Sequence, residues 1–520
     1  MADFNICSEN DEAHARVCKN VKDTLKGMSS SNFPIGEPSL LSMNELIEGC
    51  SPIPELVEQE LLKQIFHQDE LNENLTIKYY ARKILVHLRT SRIEKQWQSL
   101  SILPGSKKSL LEGALLVSQW SHVEHEQVTS LSEIEDTIDT ISNLVRYLVD
   151  NISSTLETRS DMGDETIEPR SVRLTLNCIR VVLYNEELMG FSEMDKDDIC
   201  NPDNACVDKV LSTNKGHALV LLIIYHEVAK RLGILCLPVA STVEDSMCLR
   251  HRINSKDGAV DILISPINGA ASKEMSFSDY DSSLDYFVPA KDIFMELAKY
   301  LIECRLPLCE SIVNKEHRLH FVRLACIISS GKDGTVEEYA RGCNHFGYQL
   351  EQAITLLKSE NLQDPLLIEC IKKYSDQQTA IANSEIHGRL PWTKYAAGLV
   401  MIYKGEETED DVVENKVNVN CTNAEKHRHK GPPGGLCVVV SVHNRCQCCR
   451  GADYWVLFDN GNFVSVNEGR MELHPVGAVI NNPRIGIFFE RFNGCRYIPN
   501  AELMALFPED DAFAMSLMGK

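Results

Sequence analysis

The chain has 520 residues, 43% of them hydrophobic and 24% charged, which suits several folded domains better than one core or a disordered chain. With 52 Lys and Arg against 75 Asp and Glu its formal charge is −23, so most of its surface repels phosphate backbones and anionic lipid, and protein is the default partner. The first residues, MADFNICSENDEAHARVCKN, hold no basic segment leading into an apolar run. The longest apolar stretch, ALVLLIIYHEVA from Ala218, falls short of the roughly 18 to 20 residues of a membrane span, so no membrane association is expected. Nineteen cysteines scattered from Cys7 to Cys495, without an export signal, read as buried thiols of a cytoplasmic or nuclear protein.

Residues 1–50 are polar and weakly patterned, and are expected to be poorly ordered up to a boundary at IEGCSPIP. From Glu55 to Trp97 the apolar positions Leu61, Leu62, Ile65, Phe66, Tyr79, Ile84, Leu85 and Leu88 recur at helical steps. Ser130 or Ser132 is placed to cap a helix whose apolar face is Ile134, Ile138, Ile141, Leu144, Val145 and Leu148. A further helix lies in SVRLTLNCIRVVLYNEELMGF. The segment from Asp203 to Ser241 reads as helix, turn at Gly216, long buried helix, stop at Gly233 and strand, and a second strand follows from Gly258. Helix pairs return between Phe294 and Ala382 with a loose period of roughly 34 residues.

After HGRLPWTKY the pattern turns to strand: AAGLVMIY, LCVVVSV and YWVLFDNGNFVSV, the last with Asn460-Gly461 as a hairpin turn. An acidic and then basic Gly/Pro-rich insertion separates the first two. Ahead of the hairpin, HNRCQCC (443–449) sets a zinc knuckle against a plain loop. Knuckle cysteines stand two to four residues apart and recur elsewhere in the fold. Here Cys446, Cys448 and Cys449 are spaced by two and one, with Cys437, His427, His429 or His443 as the further ligands on offer. A connecting loop is the expectation, and no metal or other cofactor.

Three stretches, YAAGLVMIY, YWVLFDNGNFVSVNEGRMEL and RYIPNAELMALFPEDDAF, resemble the C-terminal barrel of the F-box only protein 21 family, of the hemimethylated-DNA-binding, heat-shock-protein-Q-like type. IKYYARKILVHLR, LLEGALLVSQW and VLSTNKGHALVLLIIYHEVAKRLGI resemble that family's middle region, which holds a transglutaminase-like domain and helical repeats. The resemblance implies a multidomain α+β chain, mostly helical in its N-terminal and middle regions. Its parts are a poorly ordered segment at 1–50, a helical region at 51–125 and a degenerate transglutaminase-like domain at 126–290, then helical repeats at 291–388 and a small β-barrel at 389–520 with an insertion at 404–434.

Two departures from the family qualify its implied role, substrate recognition for a cullin-type (SCF) ubiquitin ligase. Residues 1–50 show no Leu-Pro start of the F-box that docks a Skp1-type adaptor, so the F-box is expected to be absent. An active transglutaminase-like fold needs a cysteine at the start of its buried helix, then a histidine and an aspartate on the strands that follow. The corresponding stretches here are GHALV (Gly216–Val220), EDSMCLRH near Ser246, and ILISPIN near Ser265. His217 is a displaced base only if it is not simply a turn residue, and Cys248 and His251 stand at an odd separation that points them to opposite faces of a strand.

The expectation is a non-catalytic protein-binding scaffold whose partners are protein substrates or adaptors, including a Skp1-type adaptor and cullin. One alternative is a nucleic-acid-associated protein acting through the barrel. Its charge disfavours this, with seven Lys/Arg against nine Asp/Glu from Leu436 to Lys520. The other is a residual thiol hydrolase or transglutaminase-like enzyme. The candidate recognition surface is Tyr454, Asn460, Gly461, Tyr497, Pro499, Asn500, Glu509 and Asp510. Beside it stands a structural reading, in which Asn500 caps a helix from Ala501, Pro508 ends that helix, and Glu509 and Asp510 start the next.

Overall fold

The computed structural model describes residues 2–32, 36–49, 54–67, 73–104, 108–157, 167–241, 246–255, 258–267, 271–276, 286–304, 312–332, 334–360, 365–383, 385–389, 391–405, 433–445 and 452–518. They divide into two units, the first built from 1–89, 308–319 and 336–520 and the second from 90–307 and 320–335. No helix among the described residues is long and apolar enough to cross a membrane.

The first unit opens with α1 (Ala2–Asn32), α2 (Leu40–Gly49) and α3 (Pro54–Phe66), followed by the first half of α4 (Leu75–Ile102). The expectation of a poorly ordered segment at 1–50 is therefore corrected. Val17, Val21, Leu25 and Met28 recur at helical steps inside a polar run, and all four are buried with Met43, Leu46, Val57, Leu61, Ile65, Tyr80 and Ile84. Each such side chain contributes about 1.5–3 kcal/mol when removed from water, enough to hold a helix whose polar composition hides its stripe.

The second unit surrounds one buried helix. Its helices are α5 (Leu110–Ser121), α6 (Leu131–Glu157) and α7 (Ile167–Tyr184). Strand β1 (Ser192–Glu193), helix α8 (Val207–Thr213) and strand β2 (Lys215–Gly216) lead into α9 (Ala218–Arg231). Then come β3 (Leu237–Ser241), β4 (Ser246–Ser255), β5 (Gly258–Ile264), β6 (Ala271–Ser276), β7 (Tyr286–Phe287), α10 (Ala290–Glu303) and the later part of α11 (Ile312–Ser329). Every residue of α9 from Leu219 to Ala229 is buried, which accounts for its all-round apolar sequence. The strands form an antiparallel sheet in the order β6-β5-β4-β3-β7. The cap expected for α6 is present: the Ser130 N–H donates to Glu133 Oε2 at 2.7 Å, and the Glu133 N–H returns to Ser130 Oγ at 3.4 Å.

The chain then rejoins the first unit through α12 (Thr335–Phe346), α13 (Leu350–Ser359) and α14 (Pro365–Ala382). The helices expected to stack as one repeat region are thus shared out, α10 and residues 320–335 going to the second unit and residues 336 onward to the first. Two helix starts in the first unit exchange carboxylates. Gln349 N–H, ahead of α13, donates to Glu37 at 2.6 Å, and Leu40 N–H, opening α2, donates to Glu351 at 2.7 Å.

The strand-rich end holds β8 (Val400–Tyr403), β9 (Leu436–Arg445), β10 (Ala452–Phe458), β11 (Phe463–Asn467) and β12 (Met471–Leu473). The hairpin β13 (Phe489–Phe492) and β14 (Tyr497–Pro499) precedes α15 (Ala501–Leu506) and α16 (Asp510–Met518). The five-stranded sheet is antiparallel in the order β11-β10-β9-β8-β12. Among the described residues it is open, because the short turn Glu468–Arg470 carries the chain from one edge strand to the other without a ladder between them. Both faces are covered: Val400, Val438, Val440 and Leu457 join the core of the N-terminal helices, while Met401, Tyr403, Val439, Tyr454, Val456 and Phe458 form another core with Ala514 of α16. The Asn460-Gly461 turn joins β10 to β11, with Gly461 at φ 89°, where a side chain would be strained. The expected class stands: a multidomain, mostly helical α+β chain with strands at its end. The acidic insertion and Cys446, Cys448 and Cys449 lie outside the described residues.

Candidate functional site

The place to look for transglutaminase-type chemistry is the start of α9. His217 is its N-cap, and the ring Nδ1 accepts the Leu219 N–H at 3.2 Å. The ring sits 4.8 Å from that of Tyr300, and burial pushes its pKa down to about 4. A neutral imidazole whose acceptor nitrogen serves the backbone is a cap, and the helix begins with Ala218, so this position offers neither a thiol nor an available base. Gly216 fixes the approach: a Cβ there would lie 2.3 Å from Val210 Cγ2 and 3.1 Å from the Asn204 carbonyl.

On the sheet, Ser265 Oγ accepts the Ile267 N–H at 3.4 Å, a local turn. Cys248 packs with Val239 and Leu263, whereas His251 Nδ1 bonds to the Leu235 carbonyl at 2.9 Å. With no register shift along β4, the odd separation puts these two on opposite faces. Asp261, beside them, is held in a fork by Arg252 at 2.8 Å through both oxygens, which keeps its carboxyl below the usual range.

A second group in the same unit was not singled out in the sequence. His122 closes α5, Asp203 lies on the short turn Pro202–Ala205, Cys206 is the N-cap residue of α8, and Asp208 is in its first turn. His122 Nε2 is 3.0 Å from Asp203 Oδ1, and its Nδ1 is 3.6 Å from Asp208 Oδ2. Thr129 Oγ1 donates to Asp208 Oδ2 at 3.3 Å, and the His125 ring stacks on His122 at 4.6 Å. Burial opposes charge on His122, but hydrogen bonding to Asp208, Cys206 and Asp203 outweighs it and lifts the pKa to about 10. The only local signal is Asp203-Ala205-Cys206-Asp208, three ligand-type residues in a six-residue span. The histidine that completes the group stands more than eighty positions earlier, out of reach of any local pattern.

The candidate recognition residues of the strand-rich end separate by exposure. Asn460 and Glu509 are exposed, whereas Tyr454, Gly461, Tyr497, Pro499, Asn500 and Asp510 are buried. Tyr454 Oη accepts the N–H groups of Lys394 and Tyr395 at 2.8 and 3.0 Å, and Tyr497 Oη accepts that of Ile480 at 2.7 Å. Asn500 caps α15 by accepting the Leu503 N–H at 3.0 Å while donating to the Ile487 carbonyl at 2.8 Å. Asp510 receives Arg389 Nη1 and the Ala397 N–H, each at 2.8 Å. Buried side chains with their hydrogen bonds filled in this way hold the fold.

Residues 133–278 match the family model of the transglutaminase-like superfamily. No solved structure matches. The chain is 24% identical to F-box only protein 21 of Pongo abelii over 507 residues, and 25% identical to that of Homo sapiens over 494, covering in each case 86% of this chain and 75% of the relative. The resemblance read from the motifs therefore holds, and the chain is similar to F-box only protein 21 over most of its length, with a transglutaminase-like domain within it.

Proposed function

We propose that the chain is a protein-binding scaffold related to the substrate-recognition subunits of cullin-type ubiquitin ligases, and that its transglutaminase-like domain serves recognition without transamidation. One observation carries this reading. The start of α9, where acyl-transfer chemistry of this fold would begin, is occupied by a neutral capping histidine and an alanine. Similarity to an F-box protein supports protein partners, a Skp1-type adaptor and cullin among them, and the excess of carboxylates favours protein over DNA. At the strand-rich end, Asn460 and Glu509 are the members of the candidate surface that a partner can touch.

The test is reconstitution of the full chain with a Skp1-type adaptor and cullin, alongside amide-hydrolysis and transamidation assays. The expected result is protein association without turnover. Turnover abolished by Cys248→Ala or Cys206→Ala overturns the non-catalytic reading. Submicromolar binding of hemimethylated duplex at physiological salt overturns the choice of protein over DNA.

A further inference from the structure

The His122, Asp203, Cys206 and Asp208 group takes no part in the scaffold reading, and its geometry differs from that of an ordinary hydrogen-bonded cluster in three respects. One ligand-type atom from each of His122, Cys206 and Asp208 lies within 4.8 Å of the other two. In a tetrahedral zinc site, with Zn–N about 2.0 Å and Zn–S about 2.3 Å, such atoms stand roughly 3.3–3.7 Å apart, so a small side-chain rotation completes the set. Secondly, Asp208 Oδ1 is buried without a hydrogen-bond partner, although Oδ2 is engaged by Thr129. That oxygen, beside a thiol and an imidazole, has a lone pair open to a further donor or to an ion. Thirdly, Asp203 accepts from the far ring nitrogen of His122 at 3.0 Å, the arrangement by which a carboxylate fixes the tautomer of a metal-bound histidine.

We propose that His122, Cys206 and Asp208 bind one divalent transition-metal ion of the zinc class, with Asp203 as the positioning residue behind His122 and a water at the fourth position. The same residues could be read as a Cys-His-Asp nucleophile. Cys206 is fully buried and its thiol donates to the Pro202 carbonyl at 3.4 Å, so a macromolecular acyl group has no approach to it. The chemistry is a thiolate, an imidazole and a carboxylate, a mixed set that suits zinc better than magnesium or calcium. The ion would clamp the end of α5 to the start of α8. This departs from the sequence-based expectation of no metal.

The full chain, purified without added metal and dialysed, should carry one equivalent of zinc by elemental analysis. Zinc-edge X-ray absorption on that native protein should show one sulfur and two or three nitrogen or oxygen neighbours, a readout that needs no variant. Cys206→Ser and His122→Gln should lose the metal, and Asp203→Asn should keep the fold while weakening zinc 10- to 100-fold in competition with a chromophoric chelator. Zinc retained in Cys206→Ser, a shell of three or four sulfurs, or a metal-free native chain that takes up no zinc on titration would each overturn the assignment.

Discussion

The stretch RYIPNAELMALFPEDDAF and the group around Cys206 are opposites. The first is the most recognisable stretch of the sequence, and its polar residues are spent on the fold: Asn500 on a helix cap, Asp510 on Arg389, Tyr497 on the Ile480 N–H. The second is almost invisible in the sequence, yet it gathers a thiol, an imidazole and two carboxylates. Only the Asn500 cap is closed within the motif; Asp510 and Tyr497 are satisfied by Arg389, Ala397 and Ile480 outside it, so a conspicuous stretch can owe its residues to the packing around it. Chemistry assembled from distant segments leaves no local trace.

The contrast can be broken by mutation. The largest effect is expected at Asp510→Ala, which takes the carboxylate from the half-buried Arg389 and from the buried Ala397 N–H, and should cost about 3–5 kcal/mol in denaturant unfolding. A loss under 1 kcal/mol would mean that the motif is not structural. Gly216→Ala drives a methyl into Val210 of α8 just ahead of α9, and should destabilise by about 1–3 kcal/mol, lowering Tm. An unchanged Tm would show that the approach of α8 to the start of α9 is not rigidly set.

A further effect concerns Glu37. Burial, partly offset by Lys83 and by the Gln349 N–H, raises its carboxyl from 4.5 to about 7. A raised acid contributes stability that is present below the unfolded pKa and lost as pH climbs through the folded one. The wild-type chain should therefore lose up to about 3 kcal/mol between pH 4.5 and 7 through this residue, and Glu37→Gln should flatten that part of the profile. An identical slope in the variant would refute the assignment. The smallest change is expected at Asn500→Ala, about 1 kcal/mol by thermal unfolding, and Asn500→Asp should do no better, because its carboxylate keeps the cap but cannot donate to the Ile487 carbonyl.

Much of the fold was legible. The helices from Glu55 to Trp97, the Ser130 cap, the buried helix from Ala218 and the Asn460-Gly461 hairpin all follow from spacing and turn chemistry. Two readings failed for physical reasons. The stripe in α1 is diluted by polar neighbours and becomes decisive only once α2, α3 and α4 cover it. Of the eight recognition residues, six are buried, because Asn, Tyr and Asp enter a core readily when backbone groups satisfy them. The empty start of α9 could be read from Ala218 alone. The His122 group could not, since proximity across more than eighty residues is a property of packing.

The exchange of carboxylates between the starts of α2 and α13 has a consequence in time. Glu37 and Leu40 leave the ribosome long before Gln349 and Glu351, with the whole second unit emerging between them. At synthesis rates of roughly 5–20 residues per second, the N-terminal helices wait roughly 15–60 s for the partners of their caps. The apolar stripe of Val17, Val21, Leu25 and Met28 is without its C-terminal cover throughout that interval. The interrupted unit is thus the last to close.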